Sequence, residues 1–343
     1  MDNVRLGIIG FGGMGRGVAR RENTQGYTVT AAVDAYETAR EAAKDEFGLE
    51  AFETVEQLLD ADVVDAVYVA TPNKFHAAPT IACLEEGVHV ICEKPIAKSA
   101  EEGEAMIAAA EESGSKLTIN LSFRATPEAV ALKRIAEGGD LGEIYFARTG
   151  WVRNRGIPGR GWFGDLELAG GGPLIDLGVH RIDLALWLMG HPRVVSVTGQ
   201  TYSKLGKRLR AEQGMDFTVE DLAAGFIRLE NGATMEVTCS WALNSEWRED
   251  MYTYVYGTEA GAAHRHVGGT YKFEVVLWEE RHGSFREEKL TRLPSSQDHV
   301  TAFMQAIRED GPVPVDPRDA LNVQYVLDAL YESARIGKEV RLD

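Results

Sequence analysis

Asp176, His180 and Asp183 stand four and then three residues apart in the run Gly170-Gly-Gly-Pro-Leu-Ile-Asp-Leu-Gly-Val-His-Arg-Ile-Asp-Leu-Ala-Leu-Trp-Leu-Met-Gly190. On a helix, those spacings lay two carboxylates and an imidazole along one face. An imidazole exists in both protonation states near neutral pH, so it can take a proton from a hydroxyl. Leu184, Leu186, Trp187, Leu188 and Met189 surround the group, which predicts a partly dry setting where pKa values move. A further cation, Lys94, follows the apolar run Val88-His-Val-Ile-Cys92 within Glu93-Lys94-Pro95. An ammonium at the carboxyl end of a strand can polarise a hydroxyl or carbonyl oxygen and stabilise an alkoxide. Two plainer readings stay open: His180 as a structural histidine on a wetted polar stripe, and Lys94 as a surface lysine.

Positioning these groups requires particular elements. The three glycines and Pro173 close an irregular segment, and Leu174, Leu177, Ile182, Leu184, Ala185 and Leu188 then recur at helical spacing. Lys94 needs a strand in an open α/β sheet, and the first third of the chain alternates strand and helix patterns. The run Val4 to Ile9 leads into Gly10-Phe11-Gly12-Gly13-Met14-Gly15 and a helix-like stretch from Arg16 to Glu22. Gly10, Gly12 and Gly15 form G-x-G-x-x-G, whose glycines allow a tight turn and let a pyrophosphate approach the backbone. A second strand, Tyr27 to Val33, ends at Asp34, where a carboxylate accepts from a ribose 2'-hydroxyl and repels a 2'-phosphate. That predicts NAD rather than NADP; the alternative is Asp34 as N-cap of a helix from Tyr36 to Phe47. Val63 to Ala70 reads as a buried parallel strand with Thr71, Pro72 and Asn73 at its ligand-binding end. A helix from Lys74 to Glu86 carries His76, Ser99 caps a helix to Ser113, and Lys116 to Asn120 is the last strand of this part.

From Gly142 onward extended segments predominate: Glu143 to Val152, Arg193 to Tyr202, Thr218 to Leu229, Ala233 to Trp241, Met251 to Tyr256, Gly261 to His266, Tyr271 to Trp278 and Phe285 to Leu290. Glu230-Asn231-Gly232 is the strongest hairpin signal among them. An antiparallel sheet follows, with the Gly170 to Gly190 helix on one face. An apolar second face would be a subunit interface, so a homo-oligomer is expected. Helices from Ser295 to Glu309 and Asp319 to Arg335 close the chain. The expected domains are 1–122, dinucleotide-binding, and 123–343, substrate-binding and oligomerising, with 319–335 placed to pack back near the first. Arg153 to Arg160 lies just before Trp162 and the glycine triplet, where its arginines can meet an anionic substrate group or the protein's own carboxylates. Lys204 to Arg210 reads as a solvated loop or an oligomer contact.

Bulk properties narrow the function classes. A chain of 343 residues supports two cores, and a formal net charge of −17 opposes nucleic-acid backbones and anionic membranes. Cys83, Cys92 and Cys239 lack metal-ligand spacing, so neither a metal site nor a disulfide framework is expected. The apolar run at Val4 is far too short for a membrane span, and the expected location is cytoplasmic.

Taken in order, G-x-G-x-x-G, Asp34, Thr71-Pro72-Asn73 with His76, Glu93-Lys94-Pro95, Asn120 with Arg124, and Gly-Gly-Gly-x-x-x-Asp-x-Gly-x-His-x-x-Asp resemble the glucose-fructose oxidoreductase, inositol dehydrogenase and rhizopine-catabolism (Gfo/Idh/MocA) family along essentially the whole chain. The resemblance implies an α/β protein: an N-terminal Rossmann domain with a doubly wound parallel sheet, and a C-terminal α/β domain with a large, mostly antiparallel sheet. It implies NAD(P)-dependent oxidation of sugar or cyclic-polyol hydroxyls, inositol among them, or the reverse reduction. Lys94, Asp176 and His180 become the catalytic set. Thr71, Pro72, Asn73, His76, Glu93, Lys94 and Asn120 join the glycine loop and Asp34 as cofactor contacts. The expected substrate contacts are Lys94, Arg124, Arg153, Trp162, Asp176 and His180. In the expected reaction His180 is the general base, Lys94 stabilises the alkoxide and Asp176 orients a substrate hydroxyl. Two other readings use the same residues: a regulator that binds nucleotide and sugar without turnover, and a glycoside-processing enzyme in which NAD is reduced only transiently.

Overall fold

The computed structural model describes residues 3–21, 26–159, 161–268 and 271–342. In chain order the elements are β1 (Val4–Ile9), α1 (Gly13–Ala19), β2 (Tyr27–Val33), α2 (Glu37–Phe47), β3 (Glu50–Phe52), α3 (Val55–Asp60), β4 (Ala66–Val69), α4 (Ala77–Glu85), β5 (His89–Glu93), α5 (Ala100–Ser113) and β6 (Leu117–Asn120). There follow α6 (Pro127–Glu137), β7 (Ile144–Arg153), α7 (Leu166–Ala169), α8 (Val179–Leu188), β8 (Val194–Tyr202), α9 (Leu205–Ala211), β9 (Leu222–Leu229), β10 (Thr234–Ser240), β11 (Glu249–Gly257), β12 (Ala260–His266), β13 (Phe273–Arg281) and β14 (Ser284–Lys289). The chain closes with α10 (His299–Glu309), α11 (Pro317–Ile336) and β15 (Val340–Arg341). Two compact units result: Met1–Leu121 with Gln297–Leu321, and Ser122–Ser296 with Asn322–Asp343.

In the first unit, fully apolar strands such as β4 can be buried on both faces because helices cover a parallel sheet on each side. The sheet runs β3-β2-β1-β4-β5-β6 with every pairing parallel, the doubly wound order. Its core collects Leu6, Ile8, Phe11, Val29, Tyr68 and Ile91, and the returning segment adds Val300, Phe303 and Met304 from α10. Thr118 Oγ1 fixes that segment, donating to the Val315 carbonyl at 2.9 Å and accepting from the Val315 N–H at 3.2 Å. Local signals set the helix starts: Ser99 accepts from the Glu102 N–H, and Thr54 with Gln57 forms a capping box. α1 begins at Gly13 and ends at Ala19, so it starts earlier than the expected Arg16, and Glu22 lies outside the described residues. β4 is shorter than expected because Asp65 leaves the strand run to accept from the Arg5 N–H, Nε and Nη2.

The second unit holds a nine-stranded sheet ordered β14-β13-β12-β11-β7-β10-β9-β8-β15. Its pairings are antiparallel except β7 with β10. Glu230 to Gly232 makes the β9–β10 hairpin, with Gly232 at φ +85°. α8 packs on β7 and β11, and Trp151, Leu177, Phe217, Val219, Trp241 and Met251 cluster there. The opposite face presents half-buried Phe146, Tyr252, Tyr254, Tyr256 and Trp278, with Tyr254 stacked on Trp278 at 6.0 Å. Lys204 to Arg210 is not a loop: α9 occupies Leu205–Ala211, and Arg210 is buried against the Pro158 carbonyl. Gly206 and Arg210, one helical turn apart, turn inward there, which the density of positive charge conceals. Among the described residues no helix is long and apolar enough to cross a membrane.

Candidate active site

The glycine loop between β1 and α1 assigns each glycine a separate reason. Gly10 takes φ +91°, and a Cβ there would meet the Ala70 backbone at 2.8 Å. A Cβ on Gly15 would lie 2.4 Å from the Gly10 carbonyl oxygen. Gly12 has nothing within 4 Å of its Cβ position, so the space beside the loop is open to a ligand that must touch backbone. Phe11 is fully buried, edge-on to Phe47 at 5.3 Å, and Met14 is exposed. Asp34 does not cap α2, whose N-cap is Tyr36. Its carboxylate instead accepts from the Phe11 N–H at 2.8 Å and the Tyr36 N–H at 2.9 Å, which holds it beside the glycine loop. Arg40 Nη1 is engaged by the carbonyls of Asp34 and Ala35.

At the carboxyl ends of β4 and β5 two small networks form. His76 is 1 % exposed; its Nδ1 lies 2.9 Å from the Pro95 carbonyl and its Nε2 3.0 Å from the Thr71 carbonyl. The ring therefore ties the Thr71-Pro72-Asn73 turn to the Lys94-Pro95 turn, whose peptide bond is cis, and does not present an open edge to a cofactor. Burial pushes its pKa down, although both carbonyls pull the other way. Asn73 is buried at the start of the 3₁₀ turn Asn73–Phe75, with Pro72 before it. Glu93 Oε1 accepts from the Tyr68 hydroxyl and from Asn120 Nδ2 at 2.8 Å, while its Oε2 faces the Lys94 N–H at 3.3 Å. Burial, reinforced by Glu93, holds the Tyr68 phenol well above its ordinary value, so it acts as a donor. Lys94 thus leaves the sheet from a braced carboxylate.

In the second unit, the glycine triplet is explained by what presses on it. A Cβ on Gly171 would lie 2.0 Å from the Tyr331 hydroxyl, and one on Gly172 2.1 Å from the Glu220 carbonyl oxygen. The buried Glu220 carboxylate accepts from the Gly172 N–H at 2.8 Å, the Leu174 N–H at 3.0 Å and the Tyr331 hydroxyl at 3.0 Å. Burial raises its pKa against those three donors. From this anchor a π-helical turn, Leu174–Gly178, runs into α8. Asp176 sits on the π turn and His180 on the first turn of α8, within one continuous helix. Trp241 Nε1 donates to Asp176 Oδ2 at 3.1 Å. The His180 ring lies 5.0 Å from Phe123 and 6.0 Å from Trp151. Trp162 stacks on Phe163 at 3.9 Å, and Phe163 lies edge-on to Trp241 at 6.2 Å.

Asp183 departs from the expected trio. It is 1 % exposed and ion-paired to Arg124, whose Nη2 is 2.5 Å from Oδ1 and whose Nε donates to both oxygens. Arg124, expected against substrate, is buried in that pair. Arg153 Nε donates to Glu249 Oε1 at 2.6 Å, an oxygen that also accepts from Trp151 Nε1 at 2.7 Å. Burial opposes ionisation of Glu249, but these two donors hold it below the usual carboxylate range. Arg160 lies outside the described residues. Glu220, Tyr331, Tyr68, Phe123 and Trp241 were not singled out from sequence. The adjacent acids Glu220-Asp221 within an apolar strand run were the available signal for the first.

Residues 4–121 match an oxidoreductase family with an NAD-binding Rossmann fold, and residues 129–263 match the GFO/IDH/MocA C-terminal domain. D-glucoside 3-dehydrogenase of Escherichia coli (strain K12) is 31% identical over 286 residues, 81% of this chain and 79% of that one. D-xylose 1-dehydrogenase (NADP(+)) 2 of Haloferax volcanii is 29% identical over 350 residues, 99% of this chain and 100% of that one. A solved levoglucosan dehydrogenase in complex with NADH shares the fold, with a TM-score of 0.87 at 23% identity over 99% of both chains. The fingerprint glycines, the parallel six-stranded sheet, the nine-stranded sheet and these matches together place the chain in the GFO/IDH/MocA family of oxidoreductases, with a Rossmann domain that binds NAD(P).

Proposed function

We propose that this protein is an NAD-dependent dehydrogenase that oxidises a secondary hydroxyl of an uncharged sugar, glycoside or cyclic polyol, or reduces the matching ketone. The observation that carries the proposal is the Asp176–His180 pair on one helix, set among Trp241, Trp151 and Phe123. Aromatic faces suit the C–H faces of sugar rings, and a few convergent polar groups suit hydroxyls. His180 removes the hydroxyl proton, Asp176 orients a substrate hydroxyl, and Lys94 holds the charge of the developing alkoxide. Trp162 extends the aromatic wall, and Arg124 acts through Asp183 on the helix that carries His180. The Gly10 to Gly15 backbone and Asp34 hold the dinucleotide, together with Thr71, Pro72, Asn73, Glu93 and Asn120; His76 positions the two turns. When bound, the nicotinamide supplies the hydride acceptor. An uncharged substrate is favoured because Arg153 already has a carboxylate partner in Glu249. NAD is favoured because Asp34 sets a negative charge beside the glycine loop.

Purified protein with NAD, offered inositols, aldoses, glycosides and sugar phosphates, tests the reading at the NADH absorbance. NADH formed with a neutral sugar supports it; NAD binding with inertness across the whole panel makes the protein a binding module instead. His180→Ala should lower turnover by about 10²- to 10⁴-fold with NAD affinity nearly intact. Near-normal turnover in that variant removes the general-base role. We also propose a homo-oligomer assembled through the aromatic outer face of the nine-stranded sheet, where Tyr254, Tyr256 and Trp278 remain half-buried.

A further inference from the structure

Arg181, the residue after His180, is fully buried on α8. Its guanidinium carbon lies 4.1 Å from the ring centre of Phe123, 5.6 Å from Phe273 and 5.7 Å from Trp151. Its Nη1 is 3.5 Å from Nδ1 of His264, a buried histidine stacked on Phe273 at 4.5 Å. Among the described residues, Nε and Nη2 have no hydrogen-bond partner. A buried charge without a carboxylate is costly, and three ring faces return only part of the loss. Burial pushes the guanidinium down to about 9, so it is still a cation at neutral pH, while His264 is driven well below its ordinary value and stays neutral.

The other charged groups around α8 are matched. Arg124 holds Asp183, Arg153 holds Glu249, and Lys133 donates to the Trp187 carbonyl. Cys239, on β10, is pushed up to about 12 by burial and is uncharged. Asp176, on the π turn, favours a protonated imidazole. His180 and Arg181 share two rings, Phe123 and Trp151, so they can be no farther apart than two ring contacts end to end.

We propose that Arg181 is a positioning residue of an electrostatic kind: a cation caged by aromatic rings that lowers the proton affinity of His180 and keeps its imidazole ready to accept a proton at neutral pH. The proposal rests on the general-base reading of His180. Like charge disfavours the imidazolium, and across a ring-filled gap of this width the effect is about one pH unit, roughly tenfold in the ratio of neutral to protonated ring. The cage, with the field of nearby Asp183, explains why a charge with no carboxylate hydrogen-bonded to it is tolerated there. A purely structural arginine would be expected to stabilise the fold, whereas replacing an unpaired buried charge by an apolar group of similar volume is neutral or stabilising.

The test uses the NAD-bound enzyme, following kcat/KM against pH and the titration of the His180 ring by NMR, its resonance assigned with His180→Gln. Arg181→Met and Arg181→Gln should both move the acid limb of the profile, and the His180 midpoint, upward by about one pH unit. Arg181→Met should melt at the same temperature as the parent or higher. An unmoved His180 midpoint in either variant overturns the proposal. Should both variants fail to fold, a His180 midpoint at or above about 6.5 in the parent enzyme overturns it too. If His180→Gln keeps turnover, the base assignment falls, while the NMR midpoint still decides the role of Arg181.

Discussion

Asp34 shows how the fold can fix a charge beside the glycine loop. Two backbone N–H groups, from Phe11 and Tyr36, fix its carboxylate, so the charge beside the glycine loop is held in place by the fold itself. Arg40, the nearby cation that could answer a 2'-phosphate, is tied to two carbonyls and stands 3.9 Å from Glu53. The wild type should therefore favour NAD by kcat/KM. Asp34→Asn should narrow that preference by about tenfold, the value of one charge-assisted hydrogen bond. An unchanged NAD-to-NADP ratio in the variant would show that Asp34 does not read the ribose. At this scale the sequence was informative where residue type and spacing carry the signal: the fingerprint glycines and the Asp176–His180 spacing are visible without coordinates. It was silent where a role depends on a distant partner. Nothing around Asp183 announces Arg124, and nothing around Gly171 announces Tyr331.

Elements were legible in proportion to their length and the clarity of their ends. Every strand of the parallel sheet longer than three residues was anticipated, as was the β9–β10 hairpin, because apolar runs and an Asn-Gly turn are local signals. The π turn at Leu174–Gly178 was not, since a single turn of altered pitch leaves an apolar pattern almost unchanged. α6 was missed although Thr126 and Pro127 form a plain helix start. The β7–β10 pairing joins segments far apart in the chain, and no short-range pattern encodes it. One element end carries a pH prediction. Asp65 closes the turn before β4 against Arg5, and although burial works against it, the Arg5 donors hold its carboxyl below the ordinary 3.8. A depressed folded-state value means stability that is present above that ordinary value and lost as the pH falls through the folded one. Asp65→Asn should thus lower Tm by about 2–4 °C at pH 7, and the two melting curves should converge below about pH 3. A gap that persists in acid would mean that the loss is one of packing rather than charge.

For the whole molecule, the proposed assembly makes the outer sheet face decisive. Sedimentation should give a mass that is a multiple of 37.6 kDa, and Tyr254→Glu, which plants a charge between Tyr256 and Trp278, should reduce it to the single-chain value with the far-UV spectrum preserved. A parent protein that sediments as a monomer removes the interface. The order of strands in that sheet has a consequence of its own. β8 to β10 form one meander and β11 to β14 another, and the strand that bridges them, β7, precedes both in the chain. As the polypeptide emerges from the ribosome, the middle strand of the sheet is made first and waits longest for its neighbours. Until β10 is synthesised β7 has two open edges, and until β11 follows it keeps one, ready to capture a strand from a neighbouring molecule.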